Sequence, residues 1–241
     1  IITGALLLCI SFASMAQRGD VYQPFYDEDL FYLGFNVGIN NNYYNFNRNV
    51  EFASPAAGAV RSINPKNNIS LTMGLAGTLR LSTHTLLRLN PTVVIAGSKN
   101  LFTFTRIEYP NSNPTMNAAT ALINIPLALK IVSDRYNAFH YTDIMRHYVF
   151  VGGKIDYDLV GPNGSIQNST SGSEPIYKNI FNSLDYGYEM GLGVSFYLPY
   201  ATISPEVKFS YGVRNLNKGA PLLSSIRDIT SNFVYFTIHV E

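Results

Sequence analysis

The side chains with chemistry to offer are few. Ten charges, Arg80, Arg88, Lys130, Lys154, Asp156, Asp158, Glu189, Glu206, Lys208 and Arg214, recur at alternate positions among small and polar residues. Six are cations and four are anions. Gathered in one confined space they would neutralise one another in ion pairs; a proton- or ion-conducting path is the alternative use of the same groups. The histidines, His84, His140, His147 and His239, stand at no metal-ligand spacing with another histidine, a cysteine or a carboxylate. Hydrolysis or acyl transfer at a lipid surface would need a serine and a histidine that meet. Ser82 beside His84 reads more simply as an exposed turn, and so does His147. Gly187, Gly191 and Gly193 come at strand spacing, where a missing Cβ lets neighbouring side chains pack, and form no phosphate loop. Cys9 is the only cysteine, so no disulfide and no cysteine metal site is available. These residues predict no enzyme and no cofactor, with charge pairing as their chemistry.

The elements that must carry those charges are strands. Residues 31–40 place Phe31, Leu33, Phe35, Val37 and Ile39 on one face against Tyr32, Gly34, Asn36, Gly38 and Asn40. The same period of two runs through 69–81, 87–96, 122–131, 149–159, 185–198, 202–214 and 232–240, giving eight candidate strands. The ten charges fall on the face that is otherwise Gly, Ser, Thr and Asn.

The sense of the alternation separates a soluble sandwich from a membrane barrel, since both need period two. A soluble sheet would show water a charge-rich face. Here the polar face is small and uncharged between its few ions, which suits a narrow lumen, and the apolar face is a continuous Leu, Ile, Val, Phe and Tyr band. Only 14% of the chain is charged, against about 25% in an average soluble domain. Strand segments of about 10 residues with this dyad mark a transmembrane β-barrel, whose closure satisfies every backbone group inside hydrocarbon. Connections alternate in length. Ser82–His84 and Pro199–Tyr200 are tight turns, whereas 41–67, 160–183 and 215–230 are long. The stretch 133–146 breaks that rule. The expected fold is therefore an all-β, antiparallel up-and-down transmembrane barrel of eight strands, with residues 99–107 extending the third segment outward, or of ten if they form a strand of their own. Pro91 and Pro205 predict local kinks or bulges. Tyr197 and Tyr200 at one end, and Tyr186 and Tyr188 at the other, are expected as interfacial belts.

Residues 1–16 are uncharged with a short apolar centre and end in Ser14-Met15-Ala16, which predicts an export signal cleaved after Ala16. Residues 17–29 would follow as a periplasmic segment, and 30–241 as the barrel. The net charge of +1 argues against a nucleic-acid binder. Lipid of a bacterial outer membrane is the partner the pattern implies, and no small-molecule substrate emerges.

Specific strings add to the pattern. Gly152-Gly153-Lys154 followed by Tyr157-Asp158-Leu159, and Asp185–Gly193 running on to Phe196–Tyr200, resemble two strands of the PorT family. Ser204-Pro205-Glu206, with Lys208-Phe209-Ser210 and Gly212, is similar to the next strand of that family, and Lys130 with Ser133-Asp134-Arg135 to its turn. The resemblance spans about residues 30–240. It implies a small outer-membrane barrel required by the type IX protein secretion system and, in some bacteria, gliding motility, with other secretion components as partners and no catalytic residues. The chain departs from that family in its longer Tyr136–Arg146 turn. There His140, Tyr141, Met145, Arg146 and His147 are the expected partner-facing group.

Overall fold

The computed structural model describes residues 29–48, 60–65, 68–96, 100–106, 115–117, 121–136, 144–159, 165–167, 177–178, 181–219 and 226–241. The expected export signal and nearly all of the segment 17–29 lie outside these residues, as do His140 and Tyr141. The described strands are β1 (Phe31–Arg48), β2 (Val60–Pro65), β3 (Asn68–Arg80), β4 (Thr85–Leu89), β5 (Thr92–Ala96), β6 (Asn100–Arg106) and β7 (Thr115–Asn117). They continue with β8 (Ala121–Val132), β9 (Met145–Asp158), β10 (Ser165–Gln167), β11 (Tyr177–Lys178), β12 (Leu184–Tyr197), β13 (Thr202–Gly212) and β14 (Ile226–Val240).

Nine of these strands form one antiparallel sheet in the order β1-β14-β13-β12-β9-β8-β4-β3-β5, and a further β1–β3 pairing closes it into a ring. β4 and β5 are two pieces of one stave, because both pair with β3 on one side and β8 on the other. The barrel thus has eight staves.

The break in the divided stave has a local cause. Pro91 and Pro126 have no N–H to give the ladder. Leu75 N–H still donates to the Pro91 carbonyl at 3.0 Å, and Asn90 N–H to the Pro126 carbonyl at 3.3 Å. The reciprocal bonds cannot form. The Asn90 carbonyl instead accepts the Thr92 hydroxyl at 3.0 Å. Pro205 is milder: the β12–β13 pairing lapses opposite it and resumes at Phe196↔Ile203 with no change of register.

The two faces divide as period two requires. Leu33 is 68% exposed, Ile69 68%, Leu127 52% and Phe236 58%, and the same band continues around every stave of the ring. An apolar belt of this extent is stable against hydrocarbon and would be an aggregation surface in water. Tyr186, Tyr188 and Tyr200 face outward as expected. Tyr197 does not. It shares the inward phase of Ser195 and is 3% exposed, with the Arg135 guanidinium 3.8 Å above its ring.

Four connections lie at one end of the barrel and three at the other. The three are the short turns 81–84 and 198–201 and the longer connection 133–144, and Leu30 and Glu241 close the same end through Arg80 N–H to the Leu30 carbonyl and the Thr202–Glu241 backbone pair. At the long-loop end the structure adds what the sequence did not specify. β1 runs on through residues 41–48, paired with β14. Pieces of three loops build a second sheet, β11-β10-β7-β6-β2. Residues 100–106 belong to that sheet and not to the barrel wall, so the wall keeps eight staves rather than ten.

Candidate functional site: the charged lumen and its two ends

Inward positions of adjacent staves come level through the register, and they stack the charges in layers. Asp185 stands opposite Asp156, which stands opposite Asn124, near the long-loop end. Asp156 Oδ2 holds Lys154 Nζ at 2.5 Å, and its Oδ1 accepts Asn124 Nδ2 at 2.5 Å. Asp185 accepts the Ser231 hydroxyl. Below them Lys208 Nζ lies 3.1 Å from Glu189 Oε2 and lies 4.4 Å above the Tyr235 ring.

The next layer crosses the lumen. Arg88 Nη2 donates to Glu206 Oε2 at 2.7 Å. Arg88 is on β4 and Glu206 on β13, which stand four places apart in the ring of eight staves, on opposite walls. The Tyr148 hydroxyl donates to the same Glu206 oxygen at 3.0 Å, and His239 Nε2 lies 3.5 Å from Oε1. The Arg88 guanidinium also rests 4.8 Å from the Phe150 ring centre. Two glycines make room for this cluster. A Cβ on Gly191 would meet the Phe150 ring at 2.5 Å, and one on Gly193 would collide with the Tyr148 hydroxyl. Thr78, Asn124, Glu206, Ser210 and His239 are each at most 1% exposed, so the centre of the barrel is filled with side chains. An eight-strand barrel leaves an interior of about that capacity.

The expected polar residues are thus placed unequally. Arg88, Lys130, Lys154, Asp156, Glu189, Glu206 and Lys208 are buried in the lumen. Lys130 has the Tyr148 ring 3.9 Å from its Nζ. Arg80 lies at the short-turn end, its Nε donating to the Asp29 carbonyl at 3.1 Å. Asp158 lines a half-open cavity at the long-loop mouth. Arg214 is not in the network: β13 ends at Gly212, and Arg214 falls in a half-buried bend beyond it. Two contributors were missed. His239 and Asp185 have the right inward phase, but a lone histidine and an aspartate at a strand start carried no further signal.

At the short-turn end, Arg146 leaves the expected partner-facing group. It has the inward phase of Tyr148 and Phe150 and is 5% exposed. His147, one residue on, is exposed and meets the Tyr136 hydroxyl. Met145 pairs through its backbone with Tyr136, which turns the first part of the long turn into a short ladder. His84 Nε2 lies 2.8 Å from Asp134 Oδ1, bridging two turns, both exposed. Ser82 is part of the 81–84 turn, its carbonyl accepting Thr85 N–H at 3.4 Å.

The outer membrane protein beta-barrel domain family matches residues 16–218 of the chain. No curated protein matches it. Among solved structures, Neisserial surface protein A is 10% identical, with 86% of this chain and 96% of that chain covered and a TM-score of 0.40. Ail, the attachment invasion locus protein of Yersinia pestis, is 9% identical over 86% of this chain and 96% of that chain, with a TM-score of 0.38. The outer membrane protein OprG from Pseudomonas aeruginosa is 12% identical over 87% of this chain and 92% of that chain, with a TM-score of 0.40.

Proposed function

This chain belongs to the outer membrane protein beta-barrel domain family, and we propose that it serves type IX protein secretion from the outer membrane, as neither an enzyme nor a pore. The observation that carries the reading is the Arg88–Glu206 pair, which ties opposite walls together in the middle of the lumen. A barrel blocked there works at its ends. The secretion assignment is supported by the PorT-like strings at 130–135, 152–159, 185–200 and 204–212. In this reading the short turns face the periplasm and meet other secretion components, with Tyr136 and His147 at the centre of the contact surface. Gliding motility depends on it where the secreted cargo includes motility proteins.

Deleting the gene is expected to trap proteins with C-terminal sorting domains in the periplasm. Replacing residues 137–144 with a plain short turn, which leaves Met145 and the buried Arg146 in β9, should lower their export while the barrel remains abundant in the outer membrane. Normal export in the clean deletion would overturn the reading.

A second reading has one specific observation in its favour. Three loops join in the sheet β11-β10-β7-β6-β2 at the long-loop end, which suits a barrel that binds external ligands. Trimming residues 49–67 and 160–183 separates the two: lost surface binding with intact export selects the second.

A further inference from the structure

The lumen is not uniform along its axis. Toward the long-loop mouth the inward acids are Asp156, Asp158 and Asp185, beside Lys154, whereas Arg88, Lys130 and Arg146, with Glu206, lie nearer the short turns. The acidic end also holds a half-open cavity of about 30 Å³. Its walls include Asp156, Asp158, Asp185, Tyr44, Phe181 and Phe233.

The geometry points to a binding pocket for a primary ammonium group on an alkyl chain, at the external mouth of the barrel between Asp185 and the Tyr44–Phe181–Phe233 wall.

Asp185 supplies the first reason. Its residue is 5% exposed and its Oδ2 takes the Ser231 hydroxyl, but its Oδ1 has no hydrogen-bond partner. A buried carboxylate oxygen without a donor carries an unrecovered desolvation cost, and a cationic N–H removes it best. Asp156 is not available for that task, being held by Lys154 and Asn124.

The wall supplies the second, independently. Tyr44 stacks on Phe181 at 6.4 Å between ring centres and meets Phe233 edge-on at 6.2 Å. Aromatic faces beside a carboxylate attract ammonium groups through the ring quadrupole. The chamber already shows the arrangement on its own Lys154, whose Nζ is 2.5 Å from Asp156 Oδ2 and 5.1 Å from the Phe233 ring centre.

Size and donor set narrow the class. A cavity of this volume takes one or two water-sized groups. An ammonium head enters and its alkyl chain extends outward; a sugar or nucleotide does not fit. Among the described residues no group of three or more His, Cys, Asp or Glu side chains is disposed to hold a metal ion. The ammonium could arrive on a free polyamine or on a lysine side chain of a polypeptide, and both share the chemistry. This inference stands apart from the secretion reading, which needs no external ligand.

The test uses the full-length barrel folded in lipid nanodiscs, titrated with n-butylammonium chloride against sodium chloride of equal ionic strength. Amide NMR shifts at Tyr44, Asp185 and Ser231 are expected to saturate. Asp185→Asn should weaken the response about tenfold, the scale of one lost charge-assisted hydrogen bond. Tyr44→Leu, which leaves the carboxylates in place, should weaken it about threefold. Asp228→Asn, at the exposed pair with Arg227, should change nothing. Cadaverine and a short lysine-containing peptide then distinguish the sources by which binds more tightly. Shifts that rise without saturating, equal affinity in both pocket variants, or the same shifts from calcium chloride would each overturn the proposal.

Discussion

Truncating Glu206 to alanine is the sharpest perturbation of the lumen. Glu206 is the one anion shared by Arg88 at 2.7 Å, the Tyr148 hydroxyl at 3.0 Å and His239 at 3.5 Å. The Arg88 side chain is 2% exposed, and Glu206 is its one ion-pair partner among the described residues. Removing one member of a buried pair costs about 3–5 kcal/mol, because the surviving charge stays buried without compensation. The Tyr148 hydroxyl loses its acceptor in the same step, a penalty of about 1–3 kcal/mol that overlaps with the first. We expect Glu206→Ala to lose about 4 kcal/mol of unfolding free energy, at the middle of that combined range. Replacing both partners with leucine removes the charges together, and a buried pair exchanged for apolar side chains is often near neutral. The double variant should therefore lose only about 1 kcal/mol, about 3 kcal/mol less than Glu206→Ala alone. The chain has no tryptophan and 17 tyrosines, so urea unfolding in lipid vesicles is followed by tyrosine fluorescence and by the gel mobility of the unheated barrel. A Glu206→Ala cost below about 1 kcal/mol, or a double variant that loses the sum of the singles, would refute the charge-plug argument.

Further perturbations probe the two faces separately. Leu127 is mid-strand in β8 and faces outward. Leu127→Arg should cost about 2–4 kcal/mol in the same vesicle assay, whereas an unaffected barrel would mean that this face meets water. Gly193→Val drives a side chain into the space of the Tyr148 hydroxyl, so the folded fraction on refolding should fall, and a normal yield would contradict the packing. Thr92→Val removes the hydroxyl that serves the Asn90 carbonyl, and a loss of about 1 kcal/mol is expected in the urea assay.

The wall was legible in the sequence because neither face of a stave packs into an apolar core. One face needs lipid and the other a neighbour's polar group, so period two survives through all eight staves, and the inward phase of Arg88, Lys154, Glu189, Glu206 and Lys208 followed from it. What the phase cannot give is the partner. Glu206 pairs with Arg88 from the opposite wall, a contact 118 residues apart that depends on ring closure. The continuation of β1 through residues 41–48 was hidden because Asn41, Asn42, Tyr43, Tyr44 and Asn45 are polar on both faces beyond the apolar band. Pairing with β14 extends that strand. Arg146 and Tyr197 were placed by their loop position when their strand phase decided their direction. The loop sheet had no sequence mark except residues 99–107, where two assignments were open. Its pairs β2–β6 and β7–β10 join separate loops and depend on three-dimensional proximity.

The central claim is that the lumen is closed by paired side chains, so that the barrel acts through its ends. Conductance of the purified wild-type barrel in planar lipid bilayers tests this most directly. The account predicts a baseline without resolved conducting steps, and steps that appear only when the plug is removed by the paired Arg88→Ala and Glu206→Ala substitution. Sustained open steps from the wild-type barrel would contradict it.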